Sequence, residues 1–349
     1  MAGGIGSRFW PYSRNSRPKQ FLDILGVGKS LIRLTFERFS SICPPENVLV
    51  VTNDEYSNQV AKELPELSED QILAEPFRRN TAPCIAYAAY KIRKKNPDAV
   101  MIVAPSDHVI LEKEAFSKTI EYALDHSRDH NRLITIGIKP NRPETGFGYI
   151  QYLDTGEGDL KKVKTFTEKP ERSLAEKFIE SGDFVWNSGI FVWSVEAIIH
   201  AFRSYLSEVA DTFEAISHQL STPEEKNAIY EAYAHTTNIS IDYGVMEKSP
   251  DVYVVLAEFD WSDLGSWDAL YDLSEKDQDG NAVRGKALLY DTTSTLIHGS
   301  DDHLIVAQGL DEYLIAVCNN VTVVCRRGNE SQFREFLADV KDKKGKEFL

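Results

Sequence analysis

Cysteine is scarce in this chain: Cys43, Cys84, Cys318 and Cys325 are the four in 349 residues, and no C-x-x-C pair occurs. That excludes a disulfide scaffold and a thiol redox motif, and leaves the expectation of reduced, mostly buried thiols. Basic charge is short as well. Acidic residues outnumber basic ones 54 to 39, a formal charge of −15. This argues against a nucleic-acid partner, which needs a basic stripe to displace counterions. It leaves room for a phosphorylated small substrate, because a few converging cations can serve one pocket inside an acidic protein. No apolar run approaches the roughly 20 residues of a membrane span. Residues 1–10 are glycine-rich with one arginine, unlike the apolar stretch of a signal peptide. The expectation is a cytoplasmic protein with no membrane partner. What is present is ordinary: 42% hydrophobic and 27% charged residues, the balance of a globular chain that buries a core.

Apolar β-branched runs at 47–52, 71–74, 99–104 and 132–138 read as strands. Between them, 30–42, 55–63, 81–95 and 113–126 carry helical spacing. Short apolar strands joined through helices predict an α/β fold, doubly wound around a mainly parallel sheet. Its ligands should sit beyond the carboxyl ends of the strands. From residue 146 the pattern mixes strands (149–153, 163–167, 189–193) with helices (173–181, 195–204, 207–218). The polar stretch 272–281 ends in a turn signal and reads as a boundary. It separates a nucleotidyltransferase-sized domain, 1–272, from a small unit, 281–349. In the small unit, apolar runs centred near Leu288, Leu296, Ile305, Ile315 and Val323 predict an all-β unit, either a meander or stacked coils. A final amphipathic stretch, 330–340, places Phe333, Phe336, Leu337 and Val340 on one face.

The start of the chain carries the strongest chemical signal: A-G-G-I-G-S-R at 2–8, then P-K-Q at 18–20. Gly3, Gly4 and Gly6 let backbone N–H groups turn inward onto phosphate oxygens, and Arg8 and Lys19 add positive charge. A dinucleotide fingerprint would need glycine or alanine where Phe9 stands, and a P-loop would need G-K-[ST]; neither is present. Asp107 follows the run A-V-M-I-V-A-P and so should lie at the carboxyl end of a strand, where such sheets place ligands.

These phrases, with E-P at 75–76, N-T-A-P at 80–83, S-D-H at 106–108, T-G-F-G-Y-I at 145–150, F-T-E-K-P at 166–170, W-N-S-G-I-F at 186–191, S-I-D-Y at 240–243 and W-S-D-L-G-S-W at 261–267, come in order. Together they resemble the mannose-1-phosphate guanylyltransferase family of sugar-phosphate nucleotidyltransferases. The resemblance runs from residue 1 to about 330. It implies transfer of GMP from GTP to mannose 1-phosphate, with GDP-mannose and pyrophosphate as products. It also implies a phosphate loop of Ala2, Gly3, Gly4, Gly6 and Ser7, with Arg8 and Lys19 as the catalytic cations. Asp107 and Asp263 would hold Mg²⁺, with Asp260 as the alternative ligand. Two carboxylates suit one hard octahedral ion that keeps several waters. Glu168 would take protons from mannose hydroxyls, Lys169 would hold the sugar phosphate, Asn187 would offer a donor and an acceptor, and Gly148 would let the backbone approach the sugar. Glu75 is the candidate reader of guanine, since an acceptor side chain takes protons from both N1 and the exocyclic amine. Backbone groups near Asn80 and Thr81 are the alternative. His108 is expected to be structural, because the attacking phosphate oxygen is already anionic and needs no base.

In the family the loop follows an apolar strand, and here only two residues precede Gly3. The expectation is that in-frame codons upstream encode that strand and that the 349-residue form is poorly soluble or inactive. The resemblance also implies a short left-handed β-helix at the C-terminus and a homodimer. The competing readings are a pyrophosphorylase for another nucleotide and sugar 1-phosphate, or a non-catalytic sensor of sugar nucleotides.

Overall fold

The computed structural model describes the chain apart from Ile5, Asp129, His130, 155–157, Asp301 and Glu330. It divides into two compact units. The first comprises Met1–Gly3, Phe36–Ser106 and Ile110–Trp261, and the second comprises Gly4–Thr35, Asp107–Val109 and Ser262–Leu349.

In the first unit, β1 (Val50–Asn53) and β2 (Ile72–Glu75) form a parallel pair. Six further strands make the main sheet: β3 (Val100–Val103), β4 (Leu133–Ile138), β5 (Gly148–Leu153), β6 (Leu160–Glu168), β7 (Phe184–Ser194) and β8 (Val252–Leu256). Their spatial order is β3-β7-β4-β8-β6-β5, with β7 also pairing with β5. The sheet is mixed. β4 and β8 run parallel, whereas β7 runs antiparallel to β3, β4 and β5, and β6 antiparallel to β8 and β5, where the sequence predicts mainly parallel pairing in this sheet. Period-two alternation sends Leu133, Phe191, Trp193, Val252 and Val254 to one face, where they pack with helices Thr81–Lys95, Val195–Tyr205, Ser207–Ile216 and Glu225–His235. Ile134, Ile136, Val192 and Val255 go to the other face, against helices Lys113–Ser127 and Arg172–Ser181. A sheet with both faces covered by helices is the doubly wound α/β architecture expected from the sequence. The strand Val252–Leu256 and the helix Glu225–His235 are additions to that reading, and β7 begins five residues before the predicted strand.

The first residues join this unit as strand-like backbone. The Met1 amino group donates to Ala104 O (2.9 Å) and Ser106 N to Met1 O (3.0 Å). Ala2 N donates to Val51 O (2.8 Å), and the Thr52 hydroxyl to Ala2 O (3.0 Å). Residues 1–2 thus connect β1 to the segment that follows β3, where the sequence reading expects a gap.

In the second unit, residues from both ends of the chain share one core: Phe9, Trp10, Leu22, Ile24 and Leu31 with Trp267, Leu270, Leu296, Leu314 and Phe333. The stretch 272–281 lies inside this unit. Asn281 N donates to Asp277 Oδ1 (2.8 Å) and Asn281 Nδ2 to Thr292 O (2.8 Å). The all-β part consists of β9 (Ala282–Arg284), β10 (Lys286–Tyr290), β11 (Leu296–His298), β12 (Leu304–Gln308), β13 (Tyr313–Cys318) and β14 (Val321–Arg326). Stacked coils are the outcome: β9, β11 and β13 run parallel with Ala282, Leu296 and Leu314 in register, and β10 stacks on β12. Only β14 turns back, antiparallel to β13. The helix Ser331–Lys343 lays Phe333, Phe336, Leu337 and Val340 on the core of the unit, as its periodicity predicts; Glu330 lies outside the described residues. No helix among the described residues is long and apolar enough to cross a membrane.

Phe213 is fully buried and packs within 6.5 Å of the rings of Tyr87, Tyr90 and Tyr233. Phe213→Ala opens a cavity there and should destabilise the fold by about 3–5 kcal/mol. Chemical denaturation that finds less than about 1 kcal/mol would show that this aromatic cluster does not hold the helices.

Candidate active site

In the second unit the glycine loop leads into a short 3-10 turn, Ser7–Phe9, capped by Gly6 at φ 66°. A Cβ at Gly6 would lie 2.4 Å from Lys19 Cβ. Glycine is therefore required twice here, for the left-handed backbone and for the close approach of Lys19. Lys19 is only 4% exposed. Its ammonium donates to Asp107 Oδ2 (2.9 Å), to Asp263 O (2.7 Å) and to Leu264 O (3.0 Å). Three acceptors match the three protons of an ammonium. Leu264 sits at φ 43°, a conformation costly for a branched side chain, and its carbonyl is held by Lys19. Asp263 Oδ1 in turn accepts from Gly265 N (3.1 Å). Burial acts to raise the Asp107 carboxyl, but the Lys19 ammonium and His108 outweigh it and hold the group below its ordinary value. Lys19, Asp107 and Asp263 are thus brought together from distant sequence, while Gly4, Ser7 and Arg8 lie exposed on the loop before them.

In the first unit, Ala2 is buried against β1 and Gly3 leads to Glu75, whose Oε2 would lie 3.7 Å from a Cβ at Gly3. Glu75 ends β2 and is 7% exposed, and the Tyr233 hydroxyl donates to its Oε1 at 2.8 Å. Burial pushes its carboxyl up to about 7, against the pull of that hydrogen bond. Asn80 caps the helix Thr81–Lys95, its Oδ1 accepting from Thr81 N (3.0 Å). The Thr81 hydroxyl accepts from Ile241 N (2.9 Å) and so anchors the chain just before Asp242.

The four residues expected at the sugar phosphate also gather in the first unit. Gly148 and Glu168 are register partners across β5 and β6. A Cβ at Gly148 would lie 2.5 Å from Glu168 Oε2 and 3.3 Å from Asn187 Cβ. Glycine at 148 makes room for the Glu168 carboxylate itself. Glu168 Oε1 accepts from Lys169 Nζ at 2.6 Å, and its backbone N–H donates to Glu247 Oε1 at 2.9 Å. Burial acts to lower the Lys169 ammonium, but the bond to Glu168 holds it above its ordinary value. Asn187 lies where the register of β7 against β4 shifts, between the pairs Thr135–Phe191 and Gly137–Asn187. Gly189, at φ 71°, makes that bulge possible. The bulge aims Asn187 Oδ1 at Thr135 Oγ1 (2.8 Å) and Gly189 N (3.2 Å), which both donate to it.

Three residues here escape the sequence reading. Asp242 accepts from Asn187 Nδ2, Tyr233 holds Glu75, and Thr135 holds Asn187. Asp242 lies in a phrase that carries the resemblance, so its signal is present. Thr135 and Tyr233 carry none, because a threonine in a strand and a tyrosine in a helix are ordinary core residues. Trp267 and Tyr271 pack in the core of the second unit, and Trp261 packs on Phe147 in the first (5.1 Å).

The chain matches the model of the nucleotidyl transferase family over residues 1–280. It is 34% identical over 354 residues to a mannose-1-phosphate guanylyltransferase of Klebsiella pneumoniae, covering 100% of this chain and 74% of that protein. It is 35% identical to the xanthan biosynthesis protein XanB of Xanthomonas campestris pv. campestris, over 98% of this chain and 72% of the relative. Among solved structures, a Thermus thermophilus protein described as mannose-1-phosphate geranyltransferase superposes with a TM-score of 0.87 at 30% identity, covering 98% of both chains. A family match over most of the length, and relatives at this identity, make the chain a member of the nucleotidyl transferase family, among its mannose-1-phosphate guanylyltransferases.

Proposed function

We propose that this enzyme transfers the GMP part of GTP to mannose 1-phosphate, releasing pyrophosphate and forming GDP-mannose. The observation that carries the reading is the Lys19 ammonium tied to Asp107 and to the Asp263 turn beside a glycine loop. That arrangement offers fixed positive charge and two carboxylates next to backbone N–H groups suited to phosphates.

The donor set fits a hard divalent cation, and Mg²⁺ is the ion proposed. Among the described residues no cluster of three or more His, Cys, Asp or Glu side chains could cage a metal. Mg²⁺ needs no cage, since it takes one or two carboxylates and fills its octahedron with water and substrate phosphates. Asp107 and Asp263 would hold it, and it would neutralise charge on the triphosphate during displacement. In the chain itself, Gly4, Gly6 and Ser7 would cradle the phosphates and Arg8 would supply an exposed cation. Lys19 keeps the two aspartates and the strained turn in place. Glu75, with Asn80 and Thr81, would read guanine. Glu168 and Asn187 would bind sugar hydroxyls over Gly148, and Lys169 would hold the sugar phosphate. The nucleophile is that phosphate, anionic at neutral pH, so the residues orient it rather than remove a proton.

A homodimer belongs to the same reading. Leu288, Tyr290, Leu304 and Val306 are each about half exposed or more, and alternate outward on the paired strands β10 and β12. An apolar row of this kind suits burial against a second copy. A cytoplasmic location is proposed with it, where nucleoside triphosphates are available.

Lys19 and Lys169 should separate in kinetics. Lys19→Ala frees Asp107 and the Asp263 turn and should act mainly on kcat. Lys169→Ala should raise the KM for mannose 1-phosphate about 10- to 150-fold, the worth of one hydrogen bond to a charged group, with less effect on GTP. Steady-state assays of pyrophosphate release in which both variants weaken both substrates equally would remove this division.

Glu75 predicts a pH dependence. With its carboxyl pushed up to about 7, the ionised form that accepts two guanine protons is lost as pH falls through neutrality. The preference for GTP over ITP, which lacks the exocyclic amine, should therefore rise between about pH 6 and 8. Glu75→Gln should flatten and lower it. A wild-type ratio that is constant across this range, and unchanged in the variant, would move guanine recognition to the backbone near Asn80.

A further inference from the structure

The carboxylate of Asp242 has no place in the chemistry above, yet it lies beside two residues that do. Asp242 opens a five-residue π-helical turn, Asp242–Met246, a rare element that occurs mostly at functional sites. The approach to that turn is fixed by the bond from Ile241 N to the Thr81 hydroxyl (2.9 Å). Asp242 is also a poor choice for stability alone. It is half-buried near the Glu168 carboxylate, and both desolvation and that like charge push its pKa up to about 7, against Lys169 and Asn187. Partly buried carboxylates close enough to repel are more often kept at functional sites than for stability.

Its hydrogen bond shows what it serves. The Asn187 amide has one acceptor oxygen and two N–H donors. Thr135 Oγ1 and Gly189 N both donate to that oxygen, at 2.8 and 3.2 Å. One N–H donates to Asp242 Oδ1 at 2.9 Å. Three bonds from three segments leave the amide a single orientation, and its second N–H has no protein acceptor among the described residues. Without Asp242, the amide loses the bond that sets the direction of this remaining donor.

We propose that Asp242 is a positioning residue for the sugar: by holding Asn187 through Nδ2 it fixes one amide N–H as a donor to a hydroxyl of the sugar 1-phosphate. This rests on the reading of Gly148, Glu168, Lys169 and Asn187 as the sugar site. The residue acts through Asn187, so its loss should appear in sugar binding and not in nucleotide binding. An asparagine at 242 keeps an oxygen acceptor and should largely preserve the function.

The test compares wild-type enzyme with Asp242→Ala, Asp242→Asn and Thr135→Val, each checked for folding by circular dichroism and thermal melting. Pyrophosphate release is measured with each substrate varied in turn. Asp242→Ala should raise the KM for mannose 1-phosphate about 10-fold, the order expected for one such bond, with the KM for GTP within about two-fold of wild type. Asp242→Asn should return the sugar KM to within about three-fold of wild type. Thr135→Val loosens the other side of the same amide and should reproduce the split. A folded Asp242→Ala with an unchanged sugar KM, or with both KM values raised alike, would overturn the inference. Should Asp242→Ala not fold, an unchanged sugar KM in Thr135→Val, or a folded Asp242→Asn with both KM values raised about 10-fold or more, would do so. A wild-type enzyme that turns over GTP with other sugar 1-phosphates but not mannose 1-phosphate would instead reject the parent reading of the sugar.

Discussion

One buried ammonium organises the part of the second unit that carries the glycine loop. Lys19 is 4% exposed and is bonded to a carboxylate and two backbone carbonyls. A cation in such a place is tolerated only when its protons are all taken. Satisfying it demands Asp107, forces the Asp263–Leu264 carbonyls inward, and requires glycine at position 6 so that the lysine stem can pass. The glycine loop, the turn carrying Asp263 and the loop carrying Asp107 are thus held by a single side chain. The common core of Phe9, Leu22 and Trp267 gives that side chain a rigid floor, with Lys19 Nζ 6.0 Å from the Phe9 ring centroid.

The first unit solves a different problem, which is how to aim a neutral amide and a carboxylate from the middle of a sheet. A regular strand would send the side chain at 187 straight out from the pleat. The bulge at Gly189 and the register shift against β4 turn it onto Thr135 instead. Gly148 clears the space that Glu168 needs on the neighbouring strand. Both glycines lie at the edges of stretches read as strands, and both serve the sheet. Glu75 shows the same economy: it ends a strand, is buried, and is held by a tyrosine from the helix Glu225–His235.

Much of this is legible in the sequence. The alternation of apolar strands and amphipathic helices points to the doubly wound class, because burial on both faces leaves that pattern in any sequence that adopts it. The helix Thr81–Lys95 is legible to the residue, since Asn80 caps it and a basic last turn ends it. The motifs locate nearly every candidate side chain. Pairings between distant residues are not legible. Nothing in P-K-Q says that Lys19 ends on Asp107 and two carbonyls, and nothing in S-I-D-Y says that Asp242 holds Asn187. The strand Val252–Leu256 stays hidden although it is apolar, because no helix pattern frames it on the N-terminal side. The joining of residues 4–35 to the C-terminal coils in one unit is equally hidden, since sequence order suggests a boundary at 272–281 and tertiary packing crosses it.

The central claim is that this chain carries out metal-assisted guanylyl transfer to mannose 1-phosphate. The most direct measurement is phosphorus NMR of the purified chain with GTP, mannose 1-phosphate and Mg²⁺, followed by the same mixture in excess EDTA. The account predicts GDP-mannose and pyrophosphate appearing in equal amounts, with both signals absent under chelation. Full turnover in EDTA, or signals for neither product from a folded protein, would contradict it.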